Sequence, residues 1–212
     1  MHITIIGTGN MARGIGTRAL AGGHDVTVVG KDPERAEDAV AALGEAGGGA
    51  RLEPAVEGDP LEGDVVVLAV YYPDARAAVE RHADQLDGKA VVDITNPLNE
   101  SFDALVVPAD GSATQELAAL APGARFVKAF NTTFARTLHP GEVAGQPLDV
   151  LIAGDDDEAK AAVATLARDG GLNPIDTGPL HRARELEALG LLNITLQDTL
   201  GTGFASAVKF LA

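Results

Sequence analysis

Ile3-Thr4-Ile5-Ile6-Gly7-Thr8-Gly9-Asn10-Met11-Ala12-Arg13-Gly14 decides the fold of this chain. A β-branched, apolar run stops at Gly7, and a helical pattern starts just after it. Between the two lies Gly-x-Gly-x-x-Ala, Gly7 to Ala12. In such a turn the first glycine allows the tight bend and the second lets backbone approach a pyrophosphate. A small third residue lets the helix pack on the strand. The phosphates of a dinucleotide would lie on the helix N-terminus, where free N–H groups and the dipole favour negative charge. The motif alone is weak, but here it follows a predicted strand, opens a predicted helix and precedes a second strand at Val26–Val29. That is the context a dinucleotide site requires.

Outward from this turn, strands and helices alternate. Strand His2–Ile6, a helix over about Asn10–Ala21 and strand Asp25–Val29 form the first unit, joined by the turn Gly22-Gly23-His24. A helix over Pro33–Leu43 has proline at its first position and Glu34 in its first turn. Gly47-Gly48-Gly49 reads as a loop, and Asp64–Val70 as a strand buried on both faces. Further helices are expected at Asp74–Ala83, Ala113–Leu120 and Glu158–Arg168, with strands at Lys89–Ile94, Arg125–Ala129 and Val150–Ala153. The pattern predicts an α/β fold, a doubly wound, mostly parallel Rossmann sheet. Beyond Leu180 the apolar spacing turns helical, interrupted near Gly201-Thr202-Gly203. The expected organisation is a dinucleotide-binding domain over 1–179 and a small α-helical C-terminal unit over 180–212.

Composition excludes several functions. The chain has 212 residues, 46% of them hydrophobic, and no cysteine, so disulfides, thiolate nucleophiles and Cys-ligated metals are ruled out. No apolar run approaches the roughly 20 residues of a membrane span, and direct entry into a strand argues against a secretory leader. The cytoplasm is the expected compartment. A formal net charge of −15 opposes nucleic acid and anionic membrane as partners. A dinucleotide is also an anion, so its site must be locally positive.

The end of the second strand selects the cofactor. An acidic residue there accepts from the ribose 2′-OH of NAD, whereas basic residues suit the 2′-phosphate of NADP. The chain reads Val28-Val29-Gly30-Lys31-Asp32-Pro33-Glu34-Arg35. Gly30 leaves room, and Lys31 and Arg35 supply charge, favouring NADP. Asp32 argues for NAD unless it caps the helix starting at Pro33.

Other ligand contacts are expected beyond the carboxyl ends of later strands, at Val70-Tyr71-Tyr72-Pro73, Thr95-Asn96-Pro97-Leu98 and Phe130-Asn131-Thr132-Thr133. Tyr71 and Tyr72, the only tyrosines, either flank a ring of the cofactor or cap the strand. Asn96 and Asn131 either bond a carboxamide or serve as turn formers. His24 reads as a structural turn residue and His82 as part of a surface helix, while His139 and His181 fall in loops. None has a partner at a recognisable spacing. Asp155-Asp156-Asp157-Glu158 resembles a metal site but precedes a helix, where carboxylates satisfy N–H groups. No metal ligand set and no catalytic acid–base pair emerges.

Four segments carry a family resemblance: Gly7-Thr8-Gly9-Asn10-Met11, Gly154-Asp155-Asp156-Asp157-Glu158, Asp176-Thr177-Gly178-Pro179-Leu180 and Val208-Lys209-Phe210-Leu211. In order and spacing they resemble the coenzyme F420-dependent NADP reductases over nearly the whole chain. Val127-Lys128-Ala129-Phe130-Asn131-Thr132 is more similar to the oxidoreductase domain of the STEAP metalloreductases, which pair NADPH with a flavin. With no membrane part read here, the soluble reductases are the better guide. The resemblance implies hydride transfer between nicotinamide C4 and deazaflavin C5, which needs ring orientation and water exclusion more than a protein acid or base. It maps nucleotide contacts onto Gly7, Thr8, Gly9, Asn10, Met11, Gly30, Lys31 and Asp32. The second ring is implied near Asn96, Pro97, Phe130, Asn131 and the Gly178–Leu180 turn. Arg35, Val70 and Tyr71 complete the expected cofactor-binding set.

The archaeal reductases carry Ser-Arg after the strand-end glycine and His-Thr-Ile after the fifth strand. Lys31-Asp32 and Phe130-Asn131-Thr132 stand there in this chain. The expected activity is NADP(H):deazaflavin or flavin oxidoreduction by a homodimer. Two alternatives remain: an NADP-dependent reductase of a small imine or carbonyl, and a dinucleotide-binding redox sensor without turnover.

Overall fold

Val65, Val66, Val67 and Leu68 form strand β4 (Val65–Leu68), and all four are buried. Val65 and Val67 enter one apolar layer, Val66 and Leu68 the other. Because successive side chains of a strand point to opposite faces, an unbroken apolar run requires cover on both sides. The computed structural model, which describes residues 1–44 and 49–211, provides it. β4 pairs with β1 (His2–Ile6), followed outward by β2 (Asp25–Gly30) and β3 (Leu52–Val56). On its other side come β5 (Ala90–Asp93) and β6 (Arg125–Lys128). These strands are all parallel, in the order β3-β2-β1-β4-β5-β6. A short hairpin, β7 (Glu142–Val143) with β8 (Gln146–Pro147), precedes β9 (Asp149–Gly154). β9 joins β6 antiparallel, and β10 (Asn173–Gly178) runs parallel to β9, completing the eight-stranded sheet.

One face is covered by α1 (Asn10–Ala21), α2 (Pro33–Leu43) and α6 (Asp157–Asp169), through side chains such as Ile15, Leu43 and Val163. The other carries α3 (Tyr72–Leu86) and α4 (Ala113–Leu120), through Val79, Leu86 and Leu117. Burying each such side chain contributes about 1.5–3 kcal/mol before the entropy of ordering it. A single turn, α5 (Ala135–Leu138), and the long α7 (Ala183–Leu200) complete the helices.

The caps explain the helix starts. Asp32 Oδ1 accepts from Arg35 N at 3.0 Å, Ser112 Oγ from Gln115 N at 3.2 Å and Asp156 Oδ1 from Ala159 N at 2.7 Å. Asp32 is therefore a cap. Asp156, Asp157 and Glu158 of the acidic run serve the start of α6, whereas Asp155 accepts from Leu180 N at 2.8 Å, in the turn after β10. Among the described residues no group of three or more side chains is arranged to hold a metal, and no helix is long and apolar enough to cross a membrane.

Several expectations change. β3 and β10 were not foreseen: both are edge strands, containing Pro54 and Pro174, and present an exposed or half-buried pattern instead of an apolar run. His82 is buried, 3% exposed, and bonds Gln85 at 3.2 Å, so it faces inward from α3. His24 keeps the structural role expected of it, buried between the N-terminal amine and Asp169, each at 3.3 Å. Gly47 and Gly48 of the expected loop lie outside the described residues. Helix does not resume after Gly201, whose left-handed φ of 62° ends α7. The tail instead returns to the sheet, where Lys209 Nζ and Phe210 N donate to the buried Asp149 carboxylate. Burial alone would raise the Asp149 pKa, but bonds from Asn173, Lys209 and Phe210 hold it below the ordinary value.

Candidate active site

The carboxyl ends of the parallel strands open into two cavities, on either side of the α1 N-terminus. Gly7 makes the turn between β1 and α1, with φ at 124° and its N–H donating to Val29 O at 2.9 Å. A Cβ there would stand 2.3 Å from Ala69 O, so no other residue fits. Gly9 is the N-cap of α1 and has no side chain to accept from the first-turn N–H groups. A Cβ on Gly9 would meet nothing within 4 Å. The turn thus leaves open space against unpaired amides, which is what a pyrophosphate needs.

The first cavity, about 430 Å³, runs from this turn across the end of β2. Gly7, Thr8, Gly9, Gly30, Lys31, Arg35, Val70 and Tyr71 line it, as the sequence suggests. Gly30 has a local reason too: a Cβ would lie 3.0 Å from Ala36 N and Asp32 O, where α2 turns back. Val29, Ala77 and Ala78 supply apolar lining to the same cavity. Glu57, Asp74 and Arg81 also line the cavity, brought there from just beyond β3 and from the solvent-facing side of α3, which local sequence does not reveal.

The second cavity, about 960 Å³, is lined by Asn10, Met11, Tyr71, Asn96 and Asn131 from the expected set. Tyr71 reaches both cavities and is 78% exposed. Asn96 and Asn131 lock each other: Asn96 Nδ2 donates to Asn131 O, and Asn131 Nδ2 to Asn96 Oδ1, both at 2.9 Å. Asn131 Nδ2 also donates to Leu186 O at 2.8 Å, which fixes its amide orientation and leaves Oδ1 without a partner. Phe134 and Phe204 meet edge to face at 5.1 Å along the wall. Ile194, Thr195 and Asp198 bring α7 over the opening.

Pro97 and Phe130 are buried and line neither cavity, and Asp32 stays at its cap. Phe130 instead turns the chain with φ at 62°, its ring in the core layer and its carbonyl accepting from Thr133. The Gly178–Leu180 turn, His139 and His181 likewise line neither cavity.

Beneath the asparagines lies a buried ion cluster. Lys128 Nζ donates to Asp93 Oδ2 at 2.9 Å, Glu187 Oε1 at 3.0 Å and Thr95 O at 2.5 Å, and all three charged side chains are fully buried. Thr114 Oγ1 also donates to Asp93, at 2.7 Å, and Ala113 N to Glu187, at 3.1 Å. Burial pushes the Glu187 carboxyl above its ordinary pKa despite the opposing pull of Lys128. The cluster ties α7 and the start of α4 to the ends of β5 and β6.

An F420-dependent NADP reductase of Methanocaldococcus jannaschii is 31% identical over 223 residues, spanning 96% of this chain and 96% of that protein. The chain belongs to the F420-dependent NADP reductase family. The family pattern described as "NADP oxidoreductase coenzyme F420-dependent" matches residues 2–97, from β1 to the Asn96-Pro97 turn. A crystal structure from Arthrobacter sp., a candidate F420-dependent NADP-reductase, superposes with a TM-score of 0.86 at 30% identity, covering 99% of each chain. The metalloreductase STEAP3 of Rattus norvegicus is 32% identical over 189 residues, which are 89% of this chain but only 36% of that protein. This member of the reductase family is therefore an oxidoreductase by kinship. The matched pattern ends before Asn131 and α7 are reached.

Proposed function

We propose that the protein transfers hydride between NADP(H), held in the first cavity, and a deazaflavin of the coenzyme F420 type or a related flavin, held in the second. The observation that carries this reading is the pair of cavities joined at Tyr71 beside the uncapped N-terminus of α1. When bound, NADPH would supply a hydride from its C4 and the deazaflavin would accept it at C5, with a proton from solvent completing the reduction.

The protein's own work is positioning. The first-turn amides of α1 and the Gly7–Gly9 turn take the pyrophosphate, and Lys31 and Arg35 face the 2′-phosphate. Val70 and Tyr71 direct the nicotinamide half past Asn10 and Met11 toward the second cavity. Asn96 and Asn131, rigid through their mutual bonds, bound the space for the second ring, and Phe134, Phe204 and α7 exclude water. No side chain is required to move a proton from the reacting carbon. On this reading 1–179 binds the dinucleotide and 180–212 supplies the outer wall. The exposed Leu192, Leu196 and Leu200 on α7 would form the contact of a homodimer, which light scattering at twice the 21.7 kDa chain mass would register.

The test mixes purified protein with NADPH and oxidised F420 and follows loss of the deazaflavin absorbance, with NADH and riboflavin phosphate as parallel arms. Loss with NADPH and F420 is the expected result. No turnover in any arm, with NADPH still bound, sinks the reductase reading and leaves a sensor.

A further inference from the structure

Every cation lining the first cavity already has a carboxylate partner. Lys31 Nζ lies 3.0 Å from Asp74 Oδ1, Arg35 Nε 3.4 Å from Asp32 Oδ2, and Arg81 Nη1 2.6 Å from Glu57 Oε2. The three pairs balance in charge, so the side chains add no net charge at the cavity and the field an incoming anion meets there comes from the uncapped N-terminus of α1. The three carboxylates are not equivalent. Asp32 is committed to capping α2, and Glu57 holds Arg81 at the shortest of the three distances. Asp74, in the first turn of α3, has Lys31 as its one side-chain bond among the described residues. Both members are half exposed, at 59% and 47%, and exposed pairs of this kind are weak and exchangeable.

We infer that Asp74 is a specificity-determining residue that competes with the cofactor's 2′-phosphate for Lys31. The carboxylate acts twice. It must give up Lys31 when a phosphate dianion binds there, and it then remains nearby as a like charge. A ribose 2′-OH incurs neither penalty and finds in Asp74 an additional acceptor. Specificity is a difference of affinities, so a group that weakens one ligand and accommodates the other compresses that difference. The cavity therefore prefers NADP over NAD by less than Lys31 and Arg35 alone would give. This resolves the conflict at the end of β2, where the sequence sets Asp32 against Lys31 and Arg35. Asp32 is occupied by its helix, and Asp74, brought across from α3, is the acidic group that matters. The inference rests on a dinucleotide occupying the first cavity and is independent of what occupies the second.

Calorimetric titration of the full-length protein with NADP+ and NAD+ tests it, with 2′,5′-ADP and 5′-AMP as fragments that omit the nicotinamide. Asp74→Asn, of equal size but neutral, is expected to raise the ratio of NADP+ to NAD+ affinity about threefold, the worth of one exposed ion pair. The fragments should follow the same ratio, and Lys31→Met should move it the opposite way. Asp74→Ser, also suited to a first helical turn, serves as the second variant if Asn perturbs α3. A ratio that stays constant or falls in both Asp74 variants overturns the inference while leaving the dinucleotide site intact. Wild-type protein that binds none of the four ligands overturns the dinucleotide reading itself, and the inference with it.

Discussion

Lys128 carries its charge where only protein atoms can solvate it, and its two carboxylate partners depend on it in turn. Removing one member of a buried ion cluster leaves uncompensated charge behind, at a cost of about 3–5 kcal/mol. Lys128→Met is expected to lose stability of that order in urea unfolding. The loss should also vary with pH. Glu187 has a folded-state pKa above its unfolded value, so its contribution is present in full below the unfolded pKa of about 4.3 and is lost as pH rises through the folded value. Without Lys128 that folded value climbs further, so the deficit should be larger at pH 8 than at pH 5. Equal deficits at both would mean the carboxylates are not coupled through the lysine. Residues of this kind are the hardest to read in sequence. Gly7 and Gly9 announce themselves because the turn geometry is local. Lys128, Asp93 and Glu187 lie far apart in the chain, and nothing in their neighbours says that they meet.

At the scale of the element, α7 decides the shape of the second cavity, and Gly190 decides how closely α7 approaches. A Cβ on Gly190 would lie 2.3 Å from Asn96 Oδ1. Alanine in an exposed helix would be favoured over glycine by about 1 kcal/mol. Here the clash should win, because Asn96 is held by two bonds to Asn131 and overpacking costs about 1–3 kcal/mol. Gly190→Ala is therefore expected to lower the melting temperature and to weaken the flavin or F420 ligand more than NADP+. A raised melting temperature with unchanged binding would show that Asn96 moves freely. The elements around β1 and β4 were legible because their periodicity is intrinsic. β3 and β10 were not, because edge strands tolerate proline and polar residues. The direction of β9 was not legible either, since no local pattern records whether a strand runs with or against its neighbour. The first cavity was therefore largely readable, and the second, assembled by α7 and the turn after β6, only through Asn96, Asn131 and the three residues on its border with the first, Asn10, Met11 and Tyr71.

At the scale of the whole molecule, the net charge of −15 acts on every approaching anion. A cavity with a cationic excess would focus NADPH inward against that field, and added salt would then slow association. The first cavity has no such excess among its side chains, because Lys31, Arg35 and Arg81 are each matched by a carboxylate, and the α1 N-terminus acts only at short range. The long-range repulsion is left uncompensated. It reaches about 30 Å at 0.01 M salt but only about 8 Å at 0.15 M. The association rate of NADPH, followed by stopped-flow fluorescence, is therefore expected to rise roughly several-fold over that range. Asp74→Asn, which tips the cavity positive, should flatten the rise. If the wild-type rate falls with salt instead, the lysine and arginines dominate the field at the cavity mouth, and the ion pairs seen there do not persist when the ligand arrives.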